Sequence, residues 1–222
     1  MNTIAKYIDH TLLKATATEQ EILQLCQEAI EYNFYAVCVN SCYVDLCKKQ
    51  LENTSIKIAA VIGFPLGAMD TAAKIFEAQT AVNKGADEID MVINIGFLKD
   101  QKTEFITHEI SKIKQAIGKK ILKVIIETCY LTTAEIKTAT ALAINASADF
   151  VKTSTGFGTG GAKLKDVALM KEVGLNKIQI KASGGIRDYI TAKQYIDAGV
   201  TRIGTSNGIQ IVTGQKGSEQ SY

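Results

Sequence analysis

Apolar residues recur along the chain in two alternating rhythms, one with a period near 3.6 and one of short unbroken runs. Over residues 19–30, Ile22, Leu25, Cys26, Ala29 and Ile30 fall on one stripe of a helix, the spacing a surface helix needs to bury one side. Thr18 and Glu21 precede it as a capping box, which satisfies the first unpaired N–H groups. A β-like run at 35–39 follows, then a helix over 43–51 and a strand at 58–62. Asp70 is the expected N-cap of a helix running to about Lys84, with Gly85 placed to close it. The alternation continues with a strand at 89–93, a helix over 104–117 stopped by Gly118, and a branched-aliphatic strand at 122–126. Thr132 and Glu135 repeat the capping box before a helix over 136–145. Then come a strand at 150–152, a helix over 165–173 before Gly174, and a strand at 178–181. A helix from its cap Asp188 to Ala198 ends at Gly199, before a strand at 202–204 and a short helix at 207–212. A first strand at 7–9 completes eight β/α units.

Strands apolar on both faces and separated by helices belong to a parallel sheet. An open doubly wound sheet and a closed barrel both meet that description. Eight units within 222 residues, with no linker or second domain, favour a single-domain α/β fold, the (β/α)8 TIM barrel, over residues 1–212. Residues 213–222 are polar and glycine-bearing and are expected to form a flexible tail. A weak repeat supports equivalent units, because a turn residue is followed five positions later by a notable side chain. Asn33 leads to Cys38, Gly85 to Asp90, Ser147 to Lys152, Asn176 to Lys181 and Gly199 to Gly204. That offset sets them at similar heights near the carboxyl ends of their strands, the end that carries active sites in this fold.

Composition narrows the classes of partner. Formal net charge is +2, with both signs interspersed and no basic stripe, so nucleic acid is not an expected partner. The longest apolar stretch, 58–69, is broken by Gly63, Pro65 and Gly67, and no membrane span is expected. Residues 1–14 lack the charged-then-apolar layout of an export signal. The five cysteines, Cys26, Cys38, Cys42, Cys47 and Cys129, contain no CxxC pair. Reduced thiols and a cytoplasmic location are therefore expected. His10 and His108 are the only histidines, His108 on an expected exposed helix face, and no Cys/His cluster has zinc spacing. No metal site is expected.

Three charges break the rule that buried strands are apolar: Asp90, Lys152 and Lys181. Such a charge must be paired, neutralised or led to solvent. Each alone reads as a strand end reaching water; three at one barrel mouth read as a site. A lysine nucleophile must be neutral, against an ordinary pKa near ~10.4. Burial and a second cation both lower that value, so Lys181 is suited to activate Lys152, and Asp90 to move protons. Lys123 shares strand parity with Ile125 and Glu127. It reads equally as a structural ion pair with a carboxylate on that face and as a site residue.

Two glycine turns stand late in the chain, Ser183-Gly184-Gly185 and Gly204-Thr205-Ser206. They follow the seventh and eighth strands, where this fold commonly holds a phosphate on backbone N–H groups. A phosphorylated small molecule is the expected ligand. The glycine-rich stretch 153–161, which contains Thr155, reads as a mobile loop over the mouth and lacks the GxxxxGK[ST] of a nucleotide loop.

Longer motifs carry a resemblance. They are Tyr7-Ile-Asp-His-Thr-Leu-Leu-Lys14, Val61-Ile-Gly-Phe-Pro-Leu-Gly67, Gly85-Ala-Asp-Glu-Ile-Asp-Met-Val-Ile-Asn94 and Lys123-Val-Ile-Ile-Glu-Thr128. Further on stand Asp149-Phe-Val-Lys-Thr-Ser-Thr-Gly-Phe157, Lys181-Ala-Ser-Gly-Gly-Ile186 and Thr201-Arg-Ile-Gly-Thr-Ser206. In this order and spacing the chain resembles the deoxyribose-phosphate aldolase family over nearly its full length. The resemblance implies reversible cleavage of 2-deoxy-D-ribose 5-phosphate to D-glyceraldehyde 3-phosphate and acetaldehyde, with no metal or organic cofactor. It implies a Schiff base on Lys152, a tuning and proton-relaying Lys181, and Asp90 as proton donor and acceptor. Gly184, Gly185, Gly204, Thr205, Ser206 and Thr155 are the candidates for the substrate and its phosphate. Asp9, Thr11, Cys38, Lys123 and Tyr222 are supporting candidates. For Tyr222 an inert tail and a phenol assisting proton transfer at the acetaldehyde carbon are equal readings.

The chain departs from the family pattern at three places. Ser41-Cys42 stands where Pro-Thr or Pro-Ser is common, Lys163 where threonine is common, and Phe157 where some members carry a lysine that helps the phosphate. Three rival readings stay open: a phosphate-sugar isomerase or epimerase with no covalent intermediate, a barrel that only binds a sugar phosphate, and a metal-dependent aldolase. Homodimers are common for barrels, but no specific interface signal stands in the sequence.

Overall fold

The computed structural model describes residues 3–215, so Tyr222 and the rest of the expected tail beyond Gln215 lie outside the described residues. Eight parallel strands close into a barrel in chain order. They are β1 (Ile8–Leu12), β2 (Ala36–Asn40), β3 (Lys57–Ile62), β4 (Glu88–Val92), β5 (Ile121–Ile125), β6 (Phe150–Lys152), β7 (Gln179–Ser183) and β8 (Arg202–Thr205). The helices around them are α1 (Glu19–Glu31), α2 (Val44–Gln50), α3 (Thr71–Asn83), α4 (Ile95–Lys99), α5 (Thr103–Ile117), α6 (Thr133–Asn145), α7 (Leu164–Gly174), α8 (Tyr189–Asp197) and α9 (Gly208–Thr213). This is the (β/α)8 barrel that the alternating pattern implies, not the open sheet. Both capping boxes form, at Thr18 and at Thr132.

The differences have local causes. β1 begins after a 3-10 turn at Thr3–Tyr7 and runs on through Asp9, His10 and Thr11, all buried. Polar residues at the mouth end of a strand hide its length from an apolar count. Ile30 is 41% exposed, so the buried stripe of α1 is only Ile22, Leu25, Cys26 and Ala29. Gly174 lies inside α7, which is closed by Leu175 and Asn176 in the left-handed region (φ 42° and 63°). The one-turn helix α4 has no counterpart in the expected elements; the Asn94 side chain caps it by accepting from Phe97 N at 3.0 Å.

The five-residue offset has a backbone basis. Asn33, Gly85, Ser147, Asn176 and Gly199 all have positive φ, between 55° and 111°. Gly118, at φ 60°, stands five before Lys123 as a further instance. In each unit a left-handed residue ends the helix and aims the chain into the next strand.

Alternate residues of each strand face outward into one large apolar core under the helices, including Ile8, Val37, Ile89, Met91, Val124, Val151 and Ile203. The inward set differs. Only Leu13, Cys38, Ala59 and Val61, with Phe64 packed on them, form an apolar cluster inside. Much of the remaining interior is charged, where barrels of this kind commonly stack branched aliphatics.

Candidate active site

β4 to β8 and β1 aim the inward charges at one another. Asp90 lies in register with Lys123 on β5, and Lys152 with Lys181 on β7. Lys152 Nζ and Lys181 Nζ each sit 2.8 Å from the same oxygen, Asp90 Oδ2. Lys181 Nζ also donates to Asp9 Oδ2. Lys123 Nζ is 2.6 Å from Asp90 Oδ1 and 2.6 Å from Glu88 Oε2. Arg202 Nη1 closes the set, 2.9 Å from Asp9 Oδ1 and 3.0 Å from Glu88 Oε2. All seven side chains are buried.

The electrostatics follow from that packing. Burial pulls the Lys152 amine below the ordinary lysine range; Asp90 opposes this, and the Lys181 cation adds to it. Burial works against the Lys181 cation too, but Asp9 and Asp90 outweigh it and hold Lys181 above the usual range. Lys123 is likewise raised, by Asp90 and Glu88 against burial. Burial disfavours the Asp90 carboxylate, yet Lys123, Lys152 and Lys181 together hold it well below the usual range. The count of charges points the same way. Four cations, Lys123, Lys152, Lys181 and Arg202, face three carboxylates, Asp9, Glu88 and Asp90. An uncompensated buried charge is costly, and a neutral Lys152 balances this ion-paired set, from which Glu127 stands apart on Thr155.

Beside this cluster, the loops after β6, β7 and β8 enclose a cavity of about 200 Å³ lined by Gly161, Gly184, Gly185, Arg187, Thr205 and Ser206, among others. Gly184 and Gly185 both have positive φ, 85° and 80°. The loops touch closely: a Cβ on Gly161 would lie 2.3 Å from Gly184 O, and Ala162 N donates to Ser183 O and Gly184 O at 3.0 and 3.1 Å. Left-handed glycines and one guanidinium suit an oxyanion.

Of the candidates for the substrate and its phosphate, Gly184, Gly185, Thr205 and Ser206 line that cavity, whereas Thr155 and Gly204 do not. Thr155 turns to Glu127, donating from N at 3.2 Å to both carboxylate oxygens and from Oγ1 to Oε2. It borders a smaller apolar cavity of about 70 Å³ with Pro65, Leu66 and Phe157. Gly204 is needed for space instead: a Cβ there would sit 2.6 Å from Ser183 Oγ and 3.1 Å from Lys181 Cε. Phe157, on the 153–161 loop, packs edge-on to Phe64 at 5.2 Å. Thr11 Oγ1 donates to Asp9 O at 2.8 Å and so steadies the strand. Burial pushes the Cys38 thiol up, near Lys181, Asp90 and Lys152. Lys123 does not pair with Glu127, the carboxylate on its own strand parity, but with Asp90 and Glu88. Glu127 leaves the strand line because its backbone is left-handed, φ 52°. Among the described residues no group of three or more His, Cys, Asp or Glu is arranged to hold a metal ion, and no helix is long and apolar enough to cross a membrane.

Sequence reasoning missed Glu88, Arg202 and Arg187, and it offered Glu127 only as a partner for Lys123. The first two had a signal, since each is a charge inside an expected or adjacent strand position and two residues from a recognised candidate. Arg187 directly follows the glycine turn and its Ile186. Only the fold reveals that Glu127 caps Thr155.

Comparison with known proteins agrees with this fold. The model of the DeoC/LacD family of aldolases matches residues 3–211. The deoxyribose-phosphate aldolase of Finegoldia magna is 56% identical over 94% of this chain and 98% of its own length. That of Thermococcus kodakarensis is 56% identical over 95% of this chain and 96% of its own. Among solved structures, the aldolase QR15 superposes with a TM-score of 0.92 at 44% identity, covering 96% of both chains. With the family match spanning the whole barrel, the chain belongs to the DeoC/LacD family of aldolases.

Proposed function

We propose that the protein is a deoxyribose-phosphate aldolase that cleaves 2-deoxy-D-ribose 5-phosphate to D-glyceraldehyde 3-phosphate and acetaldehyde through a Schiff base on Lys152. The observation that carries the reading is the sharing of one Asp90 oxygen by two buried amines at 2.8 Å. One of those amines is held below its ordinary pKa and the other above it. Two titratable groups driven apart by their surroundings are suited to different roles.

In the open-chain sugar, neutral Lys152 Nζ attacks the C1 aldehyde and forms a carbinolamine. Asp90 and Lys181 pass the protons that let water leave, giving the cationic imine. Removal of the C3 hydroxyl proton then breaks the C2–C3 bond, and the electron pair moves into the imine to give an enamine. D-Glyceraldehyde 3-phosphate departs, C2 takes a proton, and water releases acetaldehyde from Lys152. The cavity at Gly184, Gly185, Arg187 and Ser206 takes the phosphate, so that its binding fixes the reacting carbons. No step requires a metal, and activity should survive EDTA. Five free cysteines fit a reducing compartment, and a cytoplasmic location is part of the reading.

The test is release of acetaldehyde from 2-deoxy-D-ribose 5-phosphate, followed with a reductase that consumes it. Release by the wild-type chain and none by folded Lys152→Ala is expected. Sugar isomerisation without acetaldehyde would overturn the aldolase reading in favour of an isomerase.

A further inference from the structure

The floor of the cluster contains two charged side chains that the proposed chemistry does not use, Glu88 and Arg202. Glu88 precedes Asp90 by two residues on β4 and Arg202 precedes Gly204 by two on β8, one inward position deeper in the barrel. Arg202 Nη1 bridges Asp9 Oδ1 and Glu88 Oε2 at 2.9 and 3.0 Å. Its guanidinium lies 3.5 Å from the centre of the Tyr35 ring, which fixes its plane. The same Glu88 oxygen takes Lys123 Nζ at 2.6 Å, and that amine is 2.6 Å from Asp90 Oδ1. Two unbroken paths therefore join Arg202 to Lys152, one through Glu88, Lys123 and Asp90, the other through Asp9, Lys181 and Asp90. The second Glu88 oxygen, Oε1, is buried and meets no protein donor among the described residues.

We propose that Glu88 and Arg202 are positioning residues that set the protonation of Lys152 through opposite charges at the barrel floor. The inference rests on Lys152 being the Schiff-base lysine. With Arg202 present, four cations oppose three carboxylates, and Lys152 balances the set by giving up its proton. Without the guanidinium charge the set balances with Lys152 protonated, so the amine keeps its proton to higher pH. Without the Glu88 charge the cationic excess grows, and the amine loses its proton at lower pH. The other groups that act on Lys152 are Asp90 on β4, Lys181 on β7, Cys38 on β2, and Glu127 in the loop after β5. Beneath them lie Lys123 on β5 and Asp9 on β1. None of these changes in the variants that follow.

The experiment is reductive trapping of acetaldehyde by cyanoborohydride on the full chain, with the rate of adduct formation on Lys152 followed against pH. Wild type, Glu88→Gln, Arg202→Met and the double variant are compared, with circular dichroism as the check on folding. One buried charge several ångströms away moves such a midpoint by about one pH unit. Arg202→Met should move it up by about that much, with roughly tenfold slower trapping on the acid limb. Glu88→Gln should move it down, and the double variant should return close to wild type. Folded single variants that shift together, or not at all, would overturn the proposal. If either single variant does not fold, the charge-neutral double variant carries the test, and a displaced midpoint there would overturn it. Absence of any wild-type adduct at every pH would instead overturn the Schiff-base reading beneath it.

Discussion

The buried pair Lys74–Glu109 gives a sharp test of how the mouth is held. Lys74 on α3 and Glu109 on α5 are both almost wholly inaccessible, with Nζ 2.9 Å from Glu109 Oε2. The same amine donates to Gly67 O at 2.7 Å and Val92 O at 2.9 Å. It thus ties the loop after β3 to the end of β4, two residues beyond Asp90. Glu109 Oε1 keeps a second partner, Thr71 Oγ1, at 3.0 Å. Lys74→Met leaves Glu109 buried without its counter-charge, at a cost of about 3–5 kcal/mol. For a chain of this size that lowers the melting temperature by roughly 6–20 °C. Glu109→Leu should cost a similar amount, since it strands the amine. The double variant removes both charges, so it should be destabilised by less than the sum of the two, with a coupling of about 2–3 kcal/mol. It should not recover fully, because Gly67 O and Val92 O lose their donor, at about 1–3 kcal/mol each. Urea and thermal unfolding of the four proteins complete the cycle. Additive losses, with the double variant at the sum of the singles, would refute the buried pair.

Three further outcomes follow from the site. Lys181→Met removes a cation that shares an Asp90 oxygen with Lys152 at 2.8 Å; at ~5 Å and an effective dielectric near ~20 this is worth about 3 kcal/mol. Roughly a hundredfold less neutral Lys152 is then expected near pH 7, with part of the activity regained as pH rises; a loss equal at every pH would show that tuning is not its role. Gly161→Ala places a Cβ 2.3 Å from Gly184 O, so KM for the phosphorylated sugar should rise at least tenfold while unphosphorylated 2-deoxyribose is affected much less; steady-state kinetics on both sugars decides. Asp9 and Asp90 are held below the ordinary carboxylate range by their cations, against burial. The stability they confer should be complete above pH ~4 and lost only as pH falls through their lowered values, which acid titration of the unfolding free energy would check.

Much of this molecule was legible in its sequence because its βα units obey local rules. Thr18 with Glu21 and Thr132 with Glu135 cap their helices, and Asp70 and Asp188 accept from Ala72 N and Thr191 N. Asp90, Lys152 and Lys181 stood out because a charge in a buried strand needs a reason, and all three converge. What stayed hidden depends on closure of the barrel. Arg202 and Asp9 lie 193 positions apart in the chain yet 2.9 Å apart in space, and no local pattern links them. The glycine turn after β8 draws attention to Gly204 as a phosphate contact; closure of the barrel adds that its missing side chain makes room for Ser183 and Lys181. The loop position of Thr155 likewise says nothing of Glu127, whose left-handed backbone turns its carboxylate toward it.

The most direct test of the central claim is to trap the covalent intermediate. The protein is incubated with 2-deoxy-D-ribose 5-phosphate or acetaldehyde, reduced with borohydride, and its intact mass and peptides are measured. One reduced acetaldehyde-derived adduct, on the peptide containing Lys152, is the predicted result. A folded protein with no adduct, or one modified at Lys181 or Lys123 with Lys152 untouched, would contradict it.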